Sequence, residues 1–133
     1  MDIPAGYRPL DREASFWKLI GPLYEKPVDD GIALGLRVQE KHGNMRSVTH
    51  GGVICTLADI ALGLNVARKL SEPMPIATVN LTTDFAGAAQ IGDWLEARVD
   101  VQRTGRRLTF ANCYIYVGEK RIARISGIFS TLG

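Results

Sequence analysis

The sequence predicts an α+β domain in which a curved antiparallel sheet wraps around one long buried helix. Two observations carry this prediction: the most apolar segment runs from Gly51 to Leu70, and four long strand-like segments follow it. A helix that is apolar on nearly every side must be covered by other elements. Because the elements after it are strands joined by short turns, the sheet has to curl around the helix to cover it.

Each predicted element has its own signal along the chain. Residues 1–10 contain proline and glycine and are expected to be irregular. An acidic start and apolar side chains at helical spacing predict a short helix over residues 11–23, in which Pro22 indicates a break or a tail. Alternating apolar residues predict a first strand over 31–38, and residues 40–50 are polar and rich in turn formers. The same alternation, with β-branched and aromatic residues, predicts the remaining strands at 76–85, 94–101, 108–117 and 121–131.

Composition and charge exclude several classes of protein. The 133 residues are 46% hydrophobic with a net charge of +2, which is average for one domain and lacks the basic face of a nucleic-acid-binding protein. Two cysteines among apolar residues indicate neither a disulfide framework nor a metal site. The longest apolar stretch, 53–67, falls short of a membrane span, and the N-terminus lacks a signal-peptide pattern. We therefore expect a cytoplasmic protein with an N-terminal segment (1–30) and one main domain (31–133).

One acidic residue stands out within the apolar helix. Asp59 is the only charged residue between Gly51 and Ala67. An unpaired carboxylate in an apolar interior costs several kcal/mol, so such a group is paired, protonated or functional. Asp59 is therefore either a general base or a structural acid that hydrogen-bonds to the backbone or to Asn65.

The start of this helix has a second chemical feature. Gly51 and Gly52 have no side chains, so a ligand can approach their N–H groups, which lack partners within the helix. Those groups lie at the positive end of the helix dipole, where they can stabilise a developing oxyanion. Alternatively, the two glycines simply permit a tight turn into the helix.

The two features are too far apart to act on one reacting group within a single chain. At about 1.5 Å per residue, roughly 12 Å of helix separates Gly51 from Asp59. A general base and an oxyanion donor must both lie about 3 Å from the reacting atoms. If both are catalytic, the helix start of one subunit has to meet Asp59 of another, which predicts a two-fold dimer with composite sites.

The chain from residue 44 to residue 59, with the sequence NMRSVTHGGVICTLAD, resembles the signature of hotdog-fold acyl-CoA thioesterases of the phenylacetate-degradation (PaaI-like) type. Three further landmarks follow in the order of that family: TVNLTTDF at 78–85, GDWLEA at 92–97 and TGRR at 104–107. The resemblance covers residues 31–131. It implies the hotdog fold, in which a curved antiparallel sheet surrounds one helix, and a homodimer or dimer of dimers with active sites at the subunit interface.

The resemblance also implies roles for individual residues. Asp59 matches the catalytic carboxylate, which activates water or attacks directly, and the Gly51 N–H matches the group that polarises the thioester carbonyl. Asn44 and His50 match residues that position the thioester and the attacking group. Thr78 falls where family members have a Ser or Thr that orients the water.

One position departs from the family pattern. The family usually has glycine where this chain has Ser47, so the loop that carries Asn44 is expected to turn differently. His42 lies in the same loop, close to a place where the family often has histidine. We predict that His42 has no part in catalysis.

Coenzyme A requires contacts for its phosphates. Arg103, Arg106 and Arg107 flank the turn at Gly105, where they could bind phosphate through charge-assisted hydrogen bonds. They could equally be solvated residues that protect a sheet edge. Gly52 is a further candidate for substrate binding, through its N–H group.

The leading hypothesis is an acyl-CoA thioesterase for aromatic or medium-chain acyl groups. It requires no cofactor and no metal, because coenzyme A is part of the substrate. The first alternative is a hotdog dehydratase or hydratase of acyl thioesters, for which His50 and Asp59 would supply the proton-transfer pair. The second is a non-catalytic protein that binds acyl-CoA.

Overall fold

One antiparallel sheet of seven strands and one long helix make up the fold in the computed structural model, which describes residues 2–132. Residues 1 and 133, the outer ends of the two predicted segments, lie outside the described residues. The strand order in the sheet is β1-β2-β3-β5-β6-β7-β4. The predicted fold class is therefore confirmed. The elements are β1 (Arg8–Pro9), α1 (Ser15–Ile20), β2 (Tyr24–Val28), β3 (Gly31–Arg37), a 3-10 turn (Glu40–His42), α2 (Gly51–Lys69), β4 (Ile76–Phe85), β5 (Trp94–Thr104), β6 (Leu108–Val117) and β7 (Lys120–Thr131).

The main helix, α2, packs one side against the curved sheet and leaves the other side partly open. The prediction that it is buried on all sides is wrong, because a single sheet layer covers only one face of a helix. The side chains against the sheet include Leu57, Ala61 and Leu62, all fully buried. The open side follows the three- and four-residue spacing of a helical face. Its members are exposed or half-buried: Gly52, Thr56, Asp59, Gly63 and Ala67.

By length and composition α2 could also cross a membrane, contrary to the expectation that this stretch is too short. Half of the stretch is buried within the domain, where buried apolar helices have the same composition. The length and apolarity of α2 are therefore accounted for by its place in the domain core.

The N-terminal segment differs most from the prediction. The helix occupies only residues 15–20 rather than 11–23, because Pro22 has no N–H group with which to continue it. Residues 8–9, which were expected to be irregular, form β1 and pair with β2. The sequence pattern does not predict β2, because Pro27 interrupts it. Pro27 is tolerated because it lies beyond the part of β2 that pairs with β1. In the main domain, β5 continues to Thr104 instead of ending at residue 101 as predicted.

The polar contacts that hold this segment to the domain include those of His42 and Tyr7. His42 is buried; its Nδ1 accepts the Gln39 N–H at 2.9 Å, so Nε2 carries the proton and donates to the Ile20 carbonyl oxygen at 2.5 Å. Tyr7 donates its hydroxyl to Glu96 on β5 at 2.5 Å. His42 is thus fully engaged in holding the end of α1.

Candidate active site

Asp59 is half-buried on the open side of α2 and has one hydrogen-bond donor in the described chain. The Thr78 hydroxyl donates to Asp59 Oδ1 at 2.7 Å. The structural alternative, in which Asp59 bonds to Asn65, is wrong: the Asn65 amide bonds to the backbone of Ile32 and Ala61. A carboxylate that accepts one hydrogen bond retains unused acceptor sites, which water or a substrate can occupy.

A β-bulge in β4 explains why Thr78 reaches Asp59. The pairing with β7 shifts between Thr78 and Asn80, so Val79 is an extra residue on β4. Side chains alternate along a strand, and one extra residue reverses which side they face. Thr78 before the bulge and Thr83 after it therefore both face α2, where Thr83 contacts Cys55 at 3.4 Å. Periodicity along the sequence contains no signal for this bulge.

Asp59 and Thr78 form the polar end of a pocket between α2, β4, β7 and α1. The cavity has a volume of about 300 Å³. Its remaining walls are apolar and include Trp17, Leu64 and Phe129. A carboxylate with unused acceptor sites beside an apolar cavity suits a ligand with one polar end and an apolar remainder.

The start of α2 offers one free N–H group. His50 is the N-cap residue, and its Nδ1 accepts the Gly52 N–H at 2.9 Å. Within the described chain no acceptor takes the Gly51 N–H. A Cβ atom on Gly51 would lie 3.1 Å from the Phe85 ring, so the close approach of Phe85 favours glycine here. The Gly51 N–H is therefore available as a donor to a ligand, whereas the Gly52 N–H is already bonded to His50.

The loop before α2 uses Asn44 for its own structure. Asn44 Oδ1 accepts the N–H groups of Arg46 at 2.8 Å and Val48 at 3.3 Å, which is a typical Asx arrangement. Ser47 has φ 60°, in the left-handed region that glycine adopts most easily. The loop therefore has the turn that a glycine would favour, and Ser47 adopts it as well.

The predicted site residues fall into three groups. Asp59 and Thr78 lie together in the middle of α2 and on β4. The second group lies at the start of α2, roughly 12 Å along the helix from Asp59. Its members are Asn44, His50, Gly51 and Gly52. The third group consists of exposed residues around the β5–β6 hairpin, for which the described chain offers no ion-pair partner: Arg103, Arg106 and Arg107.

Of the residues that line the pocket, the sequence reasoning identified only Asp59 and Thr78 as site residues, and those it missed include Trp17, Gly63 and Phe129. Gly63 did carry a usable signal, because glycine inside a helix costs about 1 kcal/mol relative to alanine and so indicates a need for space. Among residues 2–132, no group of three His, Cys, Asp or Glu side chains could hold a metal ion.

The family described as the thioesterase superfamily matches residues 47–123, which include α2 and most of the sheet. The chain belongs to the thioesterase superfamily. A Pseudomonas aeruginosa protein with a provisional esterase name is 38% identical to this thioesterase-superfamily chain over 130 residues, which are 97% of each protein. Both findings confirm the resemblance found in the sequence.

Solved structures confirm the hotdog fold of this superfamily member. The PaaI protein from the phenylacetic acid degradation operon of E. coli superposes with a TM-score of 0.81 at 21% identity, covering 90% of this chain and 86% of that one. A Bacillus halodurans protein solved with CoA superposes with a TM-score of 0.71 at 23% identity, covering 75% and 66%. At these identities the likeness shows the fold alone. Family membership and the esterase name together support thioester hydrolase activity.

Proposed function

We propose that this protein hydrolyses acyl-CoA thioesters with aromatic or medium-chain acyl groups, using Asp59 as general base or nucleophile. The observation that carries the proposal is the position of Asp59: a carboxylate with free acceptor sites at the polar end of an apolar pocket. Thr78 holds one carboxylate oxygen and leaves the other for water or the thioester. Coenzyme A is part of the substrate, and the reaction needs no further cofactor.

In the general-base route, Asp59 removes a proton from water as the water oxygen attacks the thioester carbonyl carbon. Negative charge develops on the carbonyl oxygen, where the free Gly51 N–H and the helix dipole can stabilise it. The carbon–sulfur bond then breaks, and the proton held by Asp59 passes to the coenzyme A sulfur. In the nucleophilic route, Asp59 attacks the carbonyl carbon itself, and water later hydrolyses the acyl-aspartate anhydride.

A two-fold dimer would bring Asp59 and Gly51 together. β4 is the last strand of the sheet, so one of its edges has no partner within residues 2–132. It has ten residues without proline, and the side chains of Val79 and Phe85 are more than half exposed. A long, unprotected edge strand of this kind is a template for pairing with a second strand.

The alignment of β4 with α2 specifies which ends would meet. Phe85 lies beside Gly51, and Thr78 at the other end of the strand lies beside Asp59. Antiparallel pairing of two β4 strands about an axis near Leu81 would place the partner's Phe85 opposite Thr78 of this chain. The partner's Gly51 would then approach Asp59, as the length of α2 requires.

The arginines of the β5–β6 hairpin would bind the phosphates of coenzyme A. Thr109, Phe129 and Thr78 are paired across β6, β7 and β4 in one row. At about 4.8 Å per strand, the start of β6 is therefore about 10 Å from Thr78. Arg103 lies on one side of this row and Arg106 and Arg107 lie on the other, and none of the three has a carboxylate partner in the described chain.

The test is release of coenzyme A from a panel of acyl-CoA esters, followed with a thiol-reactive dye. We expect turnover by the wild type and a loss of at least 10³-fold in kcat for Asp59→Asn, with the dimer retained. Asp100→Asn removes an exposed carboxylate from the outer side of β5 and should leave kcat unchanged. Equal kcat values for the wild type and Asp59→Asn would refute the proposed role of Asp59.

Two further outcomes of the same assay separate the alternatives. Tight acyl-CoA binding without release from any ester would identify a non-catalytic binding protein. Hydration of an enoyl-CoA without thiol release would identify a hydratase. Label in Asp59 after single-turnover hydrolysis in ¹⁸O water would establish the nucleophilic route, because the label enters Asp59 only if an acyl-aspartate intermediate is hydrolysed at the aspartyl carbonyl. Trapping the acyl-aspartate itself would establish that route where water attacks the acyl carbonyl instead.

A further inference from the structure

Polarity in the pocket is confined to one end. Asp59 and Thr78 are there, while the walls beyond them are formed by Ile60, Leu64 and Phe129. A charged or strongly polar group at the far end would lose its hydration without gaining a partner. The acyl group that this pocket accepts is therefore uncharged and apolar beyond its thioester carbon.

Gly63 leaves part of the pocket open. It lies one helical turn after Asp59 on the same face of α2, and an added Cβ would point toward Phe129 with its nearest contact at 3.9 Å. That distance is ordinary van der Waals contact, so the helix itself does not require glycine at this position. A longer side chain at residue 63 would instead extend into the cavity, between the helix and Phe129.

Trp17 forms one of the walls of the pocket. It lies on α1, a helix of six residues without any fully buried side chain. Two contacts with the loop before α2 hold the end of α1: His42 donates to the Ile20 carbonyl, and Lys41 Nζ donates to the Leu19 carbonyl at 3.2 Å. Phe16, the preceding residue, is 54% exposed and does not line the pocket.

We propose that Gly63 and Trp17 determine acyl-group selectivity: Gly63 provides the depth of the pocket, and Trp17 forms the wall that limits its width. This inference rests on the proposed function. The pocket follows α2 from Asp59 to Ala67, a distance of about 12 Å. That corresponds to about eight to ten carbon–carbon bonds, so straight medium-chain acyl groups and arylacetyl groups fit while bulkier ones meet Trp17.

The experiment measures kcat/KM for acetyl-, butanoyl-, octanoyl-, phenylacetyl-, 2-ethylhexanoyl- and naphthylacetyl-CoA with wild type, Gly63→Leu, Trp17→Ala and Phe16→Ala. Each methylene of the acyl group that the pocket buries raises kcat/KM by about four-fold. We expect Gly63→Leu to lower the ratio of kcat/KM for octanoyl-CoA to kcat/KM for acetyl-CoA by about 50- to 100-fold, because the leucine side chain excludes several methylenes of the octanoyl group from the pocket. Trp17→Ala should raise kcat/KM for acyl-CoA esters with branched or bicyclic acyl groups relative to octanoyl-CoA. Phe16→Ala should retain the wild-type profile.

An octanoyl-to-acetyl ratio in Gly63→Leu within three-fold of the wild-type ratio would overturn the inference while leaving the proposed hydrolysis intact. Replacing glycine in a helix raises its helix propensity, so Gly63→Leu is expected to fold even if Trp17→Ala loosens α1. If the wild type hydrolyses none of the esters, the proposed function fails. The dissociation constants of the same esters then test the pocket: Gly63→Leu must weaken the binding of octanoyl-CoA but not that of acetyl-CoA.

Discussion

Asp59 and Asn65 lie less than two turns apart on α2 and use their polar atoms in opposite ways. Asn65 is buried, and its amide makes three hydrogen bonds to backbone groups of Ile32 and Ala61. Asp59 is half-buried, accepts one hydrogen bond from Thr78 and faces a cavity. A buried polar group whose hydrogen bonds are all made by the protein stabilises the fold. One with acceptor capacity left over beside a pocket is available for chemistry.

The same contrast holds between Gly51 and Gly52, and after Asp59→Asn the largest expected effect on kcat comes from replacing Gly51. Gly51→Pro removes the free N–H at the first helical position, where proline is well tolerated. We expect kcat to fall about 10²- to 10³-fold, as for loss of one oxyanion-hole donor. Gly51→Ala is the control, because it adds the same Cβ beside Phe85 and retains the N–H. Equal kcat values for the two variants would remove Gly51 from the mechanism.

Asn65→Ala should act on stability instead of activity. It leaves the N–H and carbonyl of Ile32 without their partner, at about 1 to 3 kcal/mol for each group that remains buried. We expect the free energy of unfolding to fall by about 2 to 4 kcal/mol in urea titrations, with kcat per folded molecule unchanged. Asp59→Asn should show the reverse pattern, with the unfolding midpoint retained and kcat lost. A parallel loss of both quantities in either variant would contradict the division between the two residues.

Sequence patterns predict the central helix and the strands because these elements bury long, periodic sets of apolar side chains. They also identify Asp59, the only acidic residue in α2. They do not reveal the bulge at Val79, because a bulge is defined by the number of residues opposite it on β7. The partly open side of α2 escapes prediction for a similar reason. Burial depends on how far the sheet curls, and the composition of the helix does not encode that distance.

The N-terminal segment shows where local signals fail. β2 pairs with β3 over five residues although Pro27 argues against a strand. Trp17 faces the pocket because α1 is held across it by His42, a contact between residues far apart in sequence. Neither arrangement can be inferred from local propensity, since each depends on tertiary contacts that override it.

Thr78→Val is expected to have a smaller effect than the changes at Asp59 and Gly51. The substitution removes the hydroxyl that donates to Asp59 Oδ1 but retains the β-branched shape. Asp59 should lose its fixed orientation, and we expect kcat to fall about ten-fold. This factor corresponds to the free energy of one hydrogen bond to a charged group. Thr78→Ser restores the donor and should recover most of kcat. If Thr78→Ser is as slow as Thr78→Val, the hydroxyl is not the group that matters.

Glu96 is a carboxylate whose acceptor sites, unlike those of Asp59, are used by the protein. Burial opposes its ionisation, but hydrogen bonds from Tyr7 and Arg98 and the charges of Arg98 and Lys26 outweigh this and lower its pKa. The same burial and the Glu96 carboxylate raise the pKa of Tyr7. Because the folded chain binds the Glu96 proton less readily than the unfolded chain, this contribution to stability is present above the ordinary pKa of 4.5. It is lost as the pH falls through the lower, folded value.

Tyr7→Phe should therefore reduce the free energy of unfolding by about 1.5 kcal/mol at pH 7, the value of a hydrogen bond to a charged acceptor. The difference from the wild type should shrink below pH 4.5, when Glu96 in the unfolded chain becomes protonated. Tyr24→Phe is the control, since Tyr24 packs on the same Trp94 ring without bonding to Glu96. A difference that stays constant from pH 7 to pH 3 would indicate that Tyr7 acts through packing on Trp94 alone.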